Sequence, residues 1–455
     1  MQYVASPKEF DRVLYSRSFY DFLQTDGKAY WVDGEHLRII AGKLQEVAEG
    51  KLKKMIVTLP PRHGKSELIS KKFPAWYLLQ NPNQEIIIST YSADLSYDFS
   101  RIARSTFSRH SELFDLQLAK DSQSVARWGI EGYRGGLVAA GVGGPITGRG
   151  FHVGIIDDPI KNREEANSDT IRKKIIEWYK STFRTRAYPN AAQIIVQTRW
   201  HEADLTGVLL QEQPEEWFLL NLPAFAEDND PIGRREGAPL WPERYSEHEL
   251  LKIKKDIGTY EWLALYQQRP TALEGNIFRK EWFRYTGSIP KNITIYQTID
   301  PAVSTKTEAD YFVELTFGVD DKHNIYIIDL FRGKLEFPDQ IRAIESNYIK
   351  WKPLRIGIES VAYQAALEQT LRTKSMLPVM KLRPSADKVT RALRVTPMFE
   401  NGKVYIYDHF PNKPEFETEL MQFPNGRHDD IVDSVSYIAD MVDEFYTAEI
   451  YRVRW

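Results

Sequence analysis

Met55-Ile56-Val57-Thr58-Leu59-Pro60-Pro61-Arg62-His63-Gly64-Lys65-Ser66 runs from a short apolar strand through two prolines into Gly-Lys-Ser. A strand that feeds a tight loop and then a helical stretch, here about 65–79, is the build of a phosphate-binding loop. Its backbone N–H groups cradle phosphate oxygens, Gly64 lets the backbone approach, Lys65 reaches the outer phosphates, and Ser66 offers a hydroxyl to magnesium. Arg62 and His63 lie inside the same loop. The usual spacing places a glycine where this chain has Leu59. Outward from the loop, further apolar runs at 85–90, 136–140, 152–156 and 193–197 alternate with helical stretches, which predicts a parallel α/β sheet. Ahead of it, residues 1–50 read as mostly helical, with Leu37, Ile39, Ile40, Leu44 and Val47 at helical spacing before Gly50.

The strand Val153-Gly154-Ile155-Ile156 ends in Asp157-Asp158-Pro159. An ATPase needs one carboxylate there for magnesium and another to orient the attacking water, whereas a bare strand end would use the same residues as a turn. Gln197-Thr198-Arg199 follows the strand Ile194-Ile195-Val196, a position from which polar side chains can sense a terminal phosphate. Arg149, in Thr147-Gly148-Arg149-Gly150, is either an ordinary turn arginine or a cation for transition-state charge across a subunit boundary, and Arg62 is a second candidate for that role. Tyr15 and Trp31 either stack on a base or belong to the core.

A chain of 455 residues exceeds what one core usually supports, so two or three domains are expected. With 42% apolar residues, 27% charged and 24 Tyr, the composition is that of a folded, aromatic-rich protein. No leader and no apolar run of membrane-spanning length is present, so a cytosolic protein without a membrane partner is expected. Zero cysteines leave carboxylates and imidazoles as metal ligands, which favours magnesium or manganese. A net charge of -3 excludes a uniformly basic coat and leaves room for a basic track. The charged, amphipathic stretch 162–186 reads as a solvated surface element. Prolines and glycines at Pro223, Pro231, Gly233, Gly237, Pro239 and Pro242 mark a domain connection. The expected division is 1–225, a connecting segment 226–275, and 276–455.

The second half carries a different chemistry. Strands are expected at 293–299, 311–319, 324–331 and 355–359, helices near 338–350 and 363–374, and a last helix from Asp429. Asp300 ends the first of these strands, Glu359 ends the fourth, and His428-Asp429-Asp430 with Asp433 opens the last helix. Cutting a phosphodiester with two ions about 4 Å apart needs carboxylates converging from separate elements, and this set offers them. Asp433 shares a helix face with Asp429 and Asp430 and is a ligand or a supporting residue. Asp310, just before a strand, is a weaker candidate. Lys381, Arg383, Lys388, Arg391 and Arg394 form either a solvated helix face or a phosphate track toward the acids.

These motifs, in this order and with Thr198-Arg199-Trp200-His201 and Tyr266-Gln267-Gln268 between them, resemble the large terminase subunit of tailed bacteriophages over nearly the whole chain. The resemblance implies an α/β architecture: an N-terminal P-loop ATPase of the additional-strand type, then a C-terminal ribonuclease H-like nuclease. It implies a motor that hydrolyses ATP to move double-stranded DNA into a procapsid and an endonuclease that cuts concatemers with two magnesium or manganese ions. It further implies a small terminase subunit, a portal protein, a ring of subunits, and host cytoplasm. The implied ATP-binding set is Arg62, His63, Gly64, Lys65, Ser66, Asp157, Gln197, Thr198 and Arg199, with Ser66 and Asp157 on the metal and Asp158 and Arg149 catalytic. The implied nuclease set is Asp300, Glu359, Asp429, Asp430 and Asp433. The family's acidic strand often ends Asp-Glu; here Asp158 has the shorter arm. A helicase-like repair or restriction ATPase fused to a nuclease would share both sites, and a non-catalytic DNA-binding or capsid-assembly protein would keep the fold without turnover.

Overall fold

The computed structural model describes residues 12–13, 15–27, 31–271, 277–301, 311–359, 364–373, 375–384 and 386–442. Two compact units result: Met1–Lys254 with Thr259–Ala272, and Lys255–Gly258 with Leu273–Trp455.

The first unit is built on an eight-stranded sheet of β1 (Lys54–Thr58), β2 (Glu85–Thr90), β3 (Leu118–Gln123), β4 (Arg127–Ile130), β5 (Gly136–Gly141), β6 (Phe151–Asp157), β7 (Ala187–Gln197) and β8 (Phe218–Asn221), in the order β3-β4-β5-β2-β6-β7-β1-β8. From β5 to β8 every pairing is parallel; β3 and β4 add an antiparallel edge. Alternation along the central strands sends Met55, Val57, Ile86, Ile88, Ile194 and Val196 to one core and Ile56, Ile87, Ile156 and Ile195 to another, so both faces are covered, as a parallel sheet requires. The helix Glu35–Ala48 packs on the first core through Leu37, Ile40, Leu44 and Val47, as its spacing predicts. Segment 162–186 is helical, but not merely a solvated element. Ile175, Trp178, Tyr179 and Phe183 are buried in the second core, and Arg163 is buried too. An amphipathic stripe hides one face, and the charges report only the other.

An 18-residue helix, Ala93–His110, escaped the sequence reading. Its inward face mixes Phe99, Ala103 and Phe107 with Ser96, Ser100, Thr106 and His110, so small polar residues hide the apolar period.

The second unit holds a seven-stranded sheet: β9 (Arg284–Thr286), β10 (Thr294–Asp300), β11 (Phe312–Val319), β12 (Ile325–Gly333), β13 (Arg355–Glu359), β14 (Val379–Leu382) and β15 (Val404–Tyr407), in the order β14-β13-β10-β11-β12-β15-β9. β10, β11 and β12 form an antiparallel meander, and β13 lies parallel to β10 on its other side, with Ile299 opposite Ile358. Asp300 and Glu359 therefore leave neighbouring strands at the same sheet edge. The predicted strands β10 to β13 and the helix Phe337–Trp351 all form; β9 and β14 are short additions that sequence alone did not signal. The helix Asp430–Ser436 docks against β10, where the Thr298 hydroxyl donates to the Ser434 carbonyl at 2.9 Å.

Candidate active sites

In the first unit the parallel register puts Thr58 opposite Gln197 and Asp157 opposite Val196, so β1, β6 and β7 all end at one edge. That carboxyl-end crevice is where open α/β sheets bind ligands. The loop after β1 turns through Arg62 (φ 62°) and Gly64 (φ 90°), and a Cβ on Gly64 would stand 2.8 Å from the Leu37 side chain. Glycine is required there by both backbone and space. A one-turn π-helix, Glu67–Lys72, follows the loop. Such bulges recur at functional sites, and no residue pattern announces them.

Above the loop lies a cleft of about 620 Å³, within the range of small-molecule sites, lined among others by Arg62, Lys65, Ser66, Asp158, Thr198 and Trp31. At its floor the Lys65 ammonium is held by both Asp158 oxygens, at 2.8 and 2.7 Å, and donates to the Thr198 hydroxyl. The Thr198 N–H donates to Asp158 Oδ1 at 2.8 Å. The backbone explains how a short aspartate reaches. Asp158 takes φ 44°, its N–H donates to the Val196 carbonyl at 2.9 Å, and its own carbonyl accepts from the Tyr91 N–H at 3.1 Å. The left-handed turn swings its carboxylate into the cleft while Asp157 stays on the buried strand end. Asp157 Oδ2 accepts from the Ser70 hydroxyl at 2.5 Å, and Oδ1 is buried without a hydrogen-bond partner. Burial first, and the Asp158 charge second, push its pKa up to about 7. A divalent cation would satisfy such a carboxylate, so these residues fit the magnesium that a phosphate loop implies.

Other expected nucleotide-binding residues stand elsewhere. His63 is fully buried, stacks on Tyr245 at 4.6 Å, and turns Nδ1 to the Pro61 carbonyl at 2.8 Å. Burial pulls its pKa down to about 4, so it shapes the loop as a neutral ring. Gln197 and Arg199 flank Thr198 and point away from the cleft that it lines. The Arg199 guanidinium pairs with Asp204 at 2.7 Å, and the Arg199 backbone N–H donates to Gln268 Oε1 at 3.1 Å. Strand alternation separates these three neighbours. Arg149 is exposed and lines a different hollow, beside Tyr91 and Gly141. Tyr15 is core, packed on Phe22 and His110. Sequence reading missed Arg163, whose guanidinium forks onto Glu261 at 2.8 and 2.6 Å, donates to the Trp200 carbonyl, and lies over the Trp200 and Tyr260 rings.

In the second unit Asp300 is pressed by burial and then by the charges of Asp433, Glu359 and Asp430, which hold its pKa well above the usual carboxylate range. Burial raises Glu359 as well, against the pull of Arg391. Acids sharing a site in this way fit a cation between them. Among the described residues no group of three or more His, Asp and Glu side chains is drawn to ligand distance. Two cations from the helix Lys388–Glu400 engage the acids instead. Arg391, itself buried, pairs with Asp433, stands 3.7 Å from Glu359, and donates to the Tyr437 hydroxyl at 3.1 Å. Lys388 bridges Asp429 at 2.7 Å and Asp433 at 2.9 Å. The basic cluster thus divides: Lys381 and Arg383 are exposed, Arg394 pairs with Asp440 at 2.7 Å, and Lys388 and Arg391 turn onto the acids. Glu419, unsuspected from sequence, accepts the Ile431 and Val432 N–H groups at 2.5 and 3.3 Å and so caps the helix that carries Asp430 and Asp433. Asp310 lies outside the described residues.

Two family models match the chain: the N-terminal part of the T4-like virus type of terminase large subunit over residues 56–285, and the terminase RNaseH-like domain over residues 297–441. Among solved structures, the chain is similar to the large terminase of a thermophilic bacteriophage in complex with ADP, at 10% identity and TM-score 0.51. The match covers 88% of this chain and 98% of that one. The same terminase in complex with ATP-gamma-S aligns at 11% identity and TM-score 0.50, with the same coverage. The large terminase nuclease of thermophilic phage G20c with bound magnesium matches 34% of this chain and 84% of its own at 16% identity and TM-score 0.28. No curated protein matches the sequence.

Proposed function

The chain belongs to the terminase large subunit family, with an ATPase-type N-terminal domain and a ribonuclease H-like C-terminal domain, and from that premise we propose that it is a viral DNA-packaging motor. It hydrolyses ATP to drive double-stranded DNA into a procapsid and cuts the concatemer at initiation and termination. It works in the host cytoplasm as a ring docked on the portal, with a small terminase subunit selecting the DNA. The observation that carries this reading is the Lys65, Asp158 and Thr198 constellation at the floor of the phosphate-loop cleft.

A nucleotide's outer phosphates compete with Asp158 for the Lys65 ammonium. Once Lys65 turns to phosphate, Asp158 is released to hold and orient the attacking water. Ser66 and Asp157 would hold magnesium, which supplies charge neutralisation on the phosphates. Arg62, at the cleft wall, is better placed within one subunit to meet developing charge; Arg149, exposed outside the cleft, suits a role toward a neighbouring subunit. Asp158 also holds the Thr198 N–H, so a change at the phosphate reaches the end of β7, and from there Arg199, Asp204 and Gln268 pass it on to DNA movement.

In the nuclease, Asp300, Glu359 and Asp430 would hold two divalent ions, which activate water and stabilise the leaving oxygen. One oxygen of Asp433 faces Arg391 and the other Lys388, so it is open to a metal once Lys388 leaves. Asp429, at the helix entry and bridged by Lys388, stands farther out. Plasmid cleavage with magnesium or manganese, run beside phosphate release, tests the reading. Lys65→Ala should abolish ATP hydrolysis and spare cutting, and Asp300→Ala should do the reverse. Wild-type protein inert in both assays, even with a small subunit added, would defeat it, and strand unwinding without a portal partner would favour the helicase-like alternative.

A further inference from the structure

Asp433 is nearly inaccessible, yet its two oxygens face two different cations, and these differ in how firmly they are held. Arg391 is buried and fastened on several sides, by Asp433, Glu359 and the Tyr437 hydroxyl, with its guanidinium over the Tyr437 ring. Its planar fork suits permanent residence. Lys388 projects from the first turn of the same helix, one turn earlier, and its side chain is 49% exposed. Among the described residues its ammonium, on a flexible and solvated stem, is held by two ion pairs, to Asp429 and Asp433. Among the described residues the acids Asp300, Glu359 and Asp430 also face this cluster, and Asp433, Glu359 and Asp430 press on Asp300.

Resting on the nuclease reading above, we infer that Lys388 is a displaceable internal counter-ion of the nuclease site: it lies across Asp429 and Asp433, competes with divalent metal for the acidic cluster, and holds metal affinity down. Removing its charge takes away the mobile competitor, leaves Arg391 in place, and raises the attraction for a divalent ion. Screening at a half-exposed position reduces the effect without cancelling it, because the ammonium lies within direct contact of two carboxylates. The phosphodiester backbone is an anion able to draw the same ammonium away, so DNA arriving at the site and metal binding there reinforce each other, each raising the affinity for the other by one factor. Arg391 has no such freedom and serves to position Glu359 and Asp433.

The test measures manganese binding to the full chain by electron paramagnetic resonance of the free ion, without nucleotide or DNA, for wild type, Lys388→Gln, Lys388→Arg and Asp300→Asn. Binding lost in Asp300→Asn defines the nuclease site. At that site Lys388→Gln should bind manganese at least about tenfold more tightly, about 1.4 kcal/mol, and Lys388→Arg should stay near wild type. Unchanged or weaker binding in Lys388→Gln, with its melting temperature intact, overturns this inference and leaves the nuclease reading standing. Absence of Asp300-dependent manganese both in wild type and in Lys388→Gln, whose site is otherwise intact, removes the inference and the nuclease reading together.

Discussion

Asp158 and Glu314 show how far one residue's environment departs from its letter. Asp158 occupies left-handed backbone, which Asp and Asn tolerate better than other side chains. Asp158→Asn should therefore fold and still bind nucleotide but lose about 10²-fold or more in kcat for ATP hydrolysis, because an amide cannot act as a base. Nucleotide binding and turnover measured together decide this; a variant that turns over normally would take Asp158 out of the chemistry. Glu314, on β11, is buried with one oxygen accepting from Asn347 at 2.7 Å, and burial, with Asp329 adding, pushes its pKa up to about 8. The folded protein thus holds a proton that the unfolded chain has released. The stability this contributes is complete below the ordinary value of 4.5 and is lost as pH rises through about 8. Glu314→Gln should flatten the fall in melting temperature of its unit between about pH 5 and 8 and raise it at the alkaline end, by at most a few kcal/mol. A calorimetric pH series that keeps the wild-type slope would contradict this. Neither property is legible in the letters: a turn's handedness and a carboxyl's burial belong to the folded neighbourhood.

At the scale of elements, the acids at strand ends and the loop after β1 were readable because strand, turn and carboxylate are local signals. Side-chain direction within a motif was readable only in part. Gln197, Thr198 and Arg199 read as one sensing group, yet pleating sends Thr198 to Lys65 and Arg199 to Asp204. The helix Asp430–Ser436 lacks a side-chain cap of its own and borrows Glu419 from the helix Lys413–Gln422. Glu419→Ala should cost about 1–2 kcal/mol of stability and lower DNA cleavage while leaving ATP hydrolysis untouched, since it loosens the element carrying Asp430. Equal loss of both activities would point to a fold-wide effect instead. Arg163 and Glu261 join the start of the helix Arg163–Asn167 to the helical turn that follows the kink at Gly258 through a largely buried fork. A double-mutant cycle with Arg163→Met and Glu261→Gln should return a coupling of about 1–3 kcal/mol in thermal unfolding, and a value near zero would mean the two residues act separately.

At the scale of the whole molecule, each unit has its own sheet and core, so each is expected to melt by its own transition. ADP at about 100 times its Kd should raise the transition of the phosphate-loop unit by the equivalent of about 2.7 kcal/mol and leave the other in place; a shift of only the second transition would misassign the nucleotide site. The amino-acid sequence by itself determined the strands that lead into each motif, the phosphate loop, the acids at the ends of β6, β10 and β13, and the absence of thiolate chemistry. These follow from periodicity, turn residues and composition, which act over a few residues. Only the tertiary structure decided that His63 faces inward, that Asp158 reaches Lys65 through a left-handed turn, that Lys388 and Arg391 sit on the nuclease acids, and that Glu419 caps their helix. The cause is physical: charge pairing, burial and cap geometry join residues tens to hundreds of positions apart, and no local pattern specifies which distant groups the closing sheets will bring face to face.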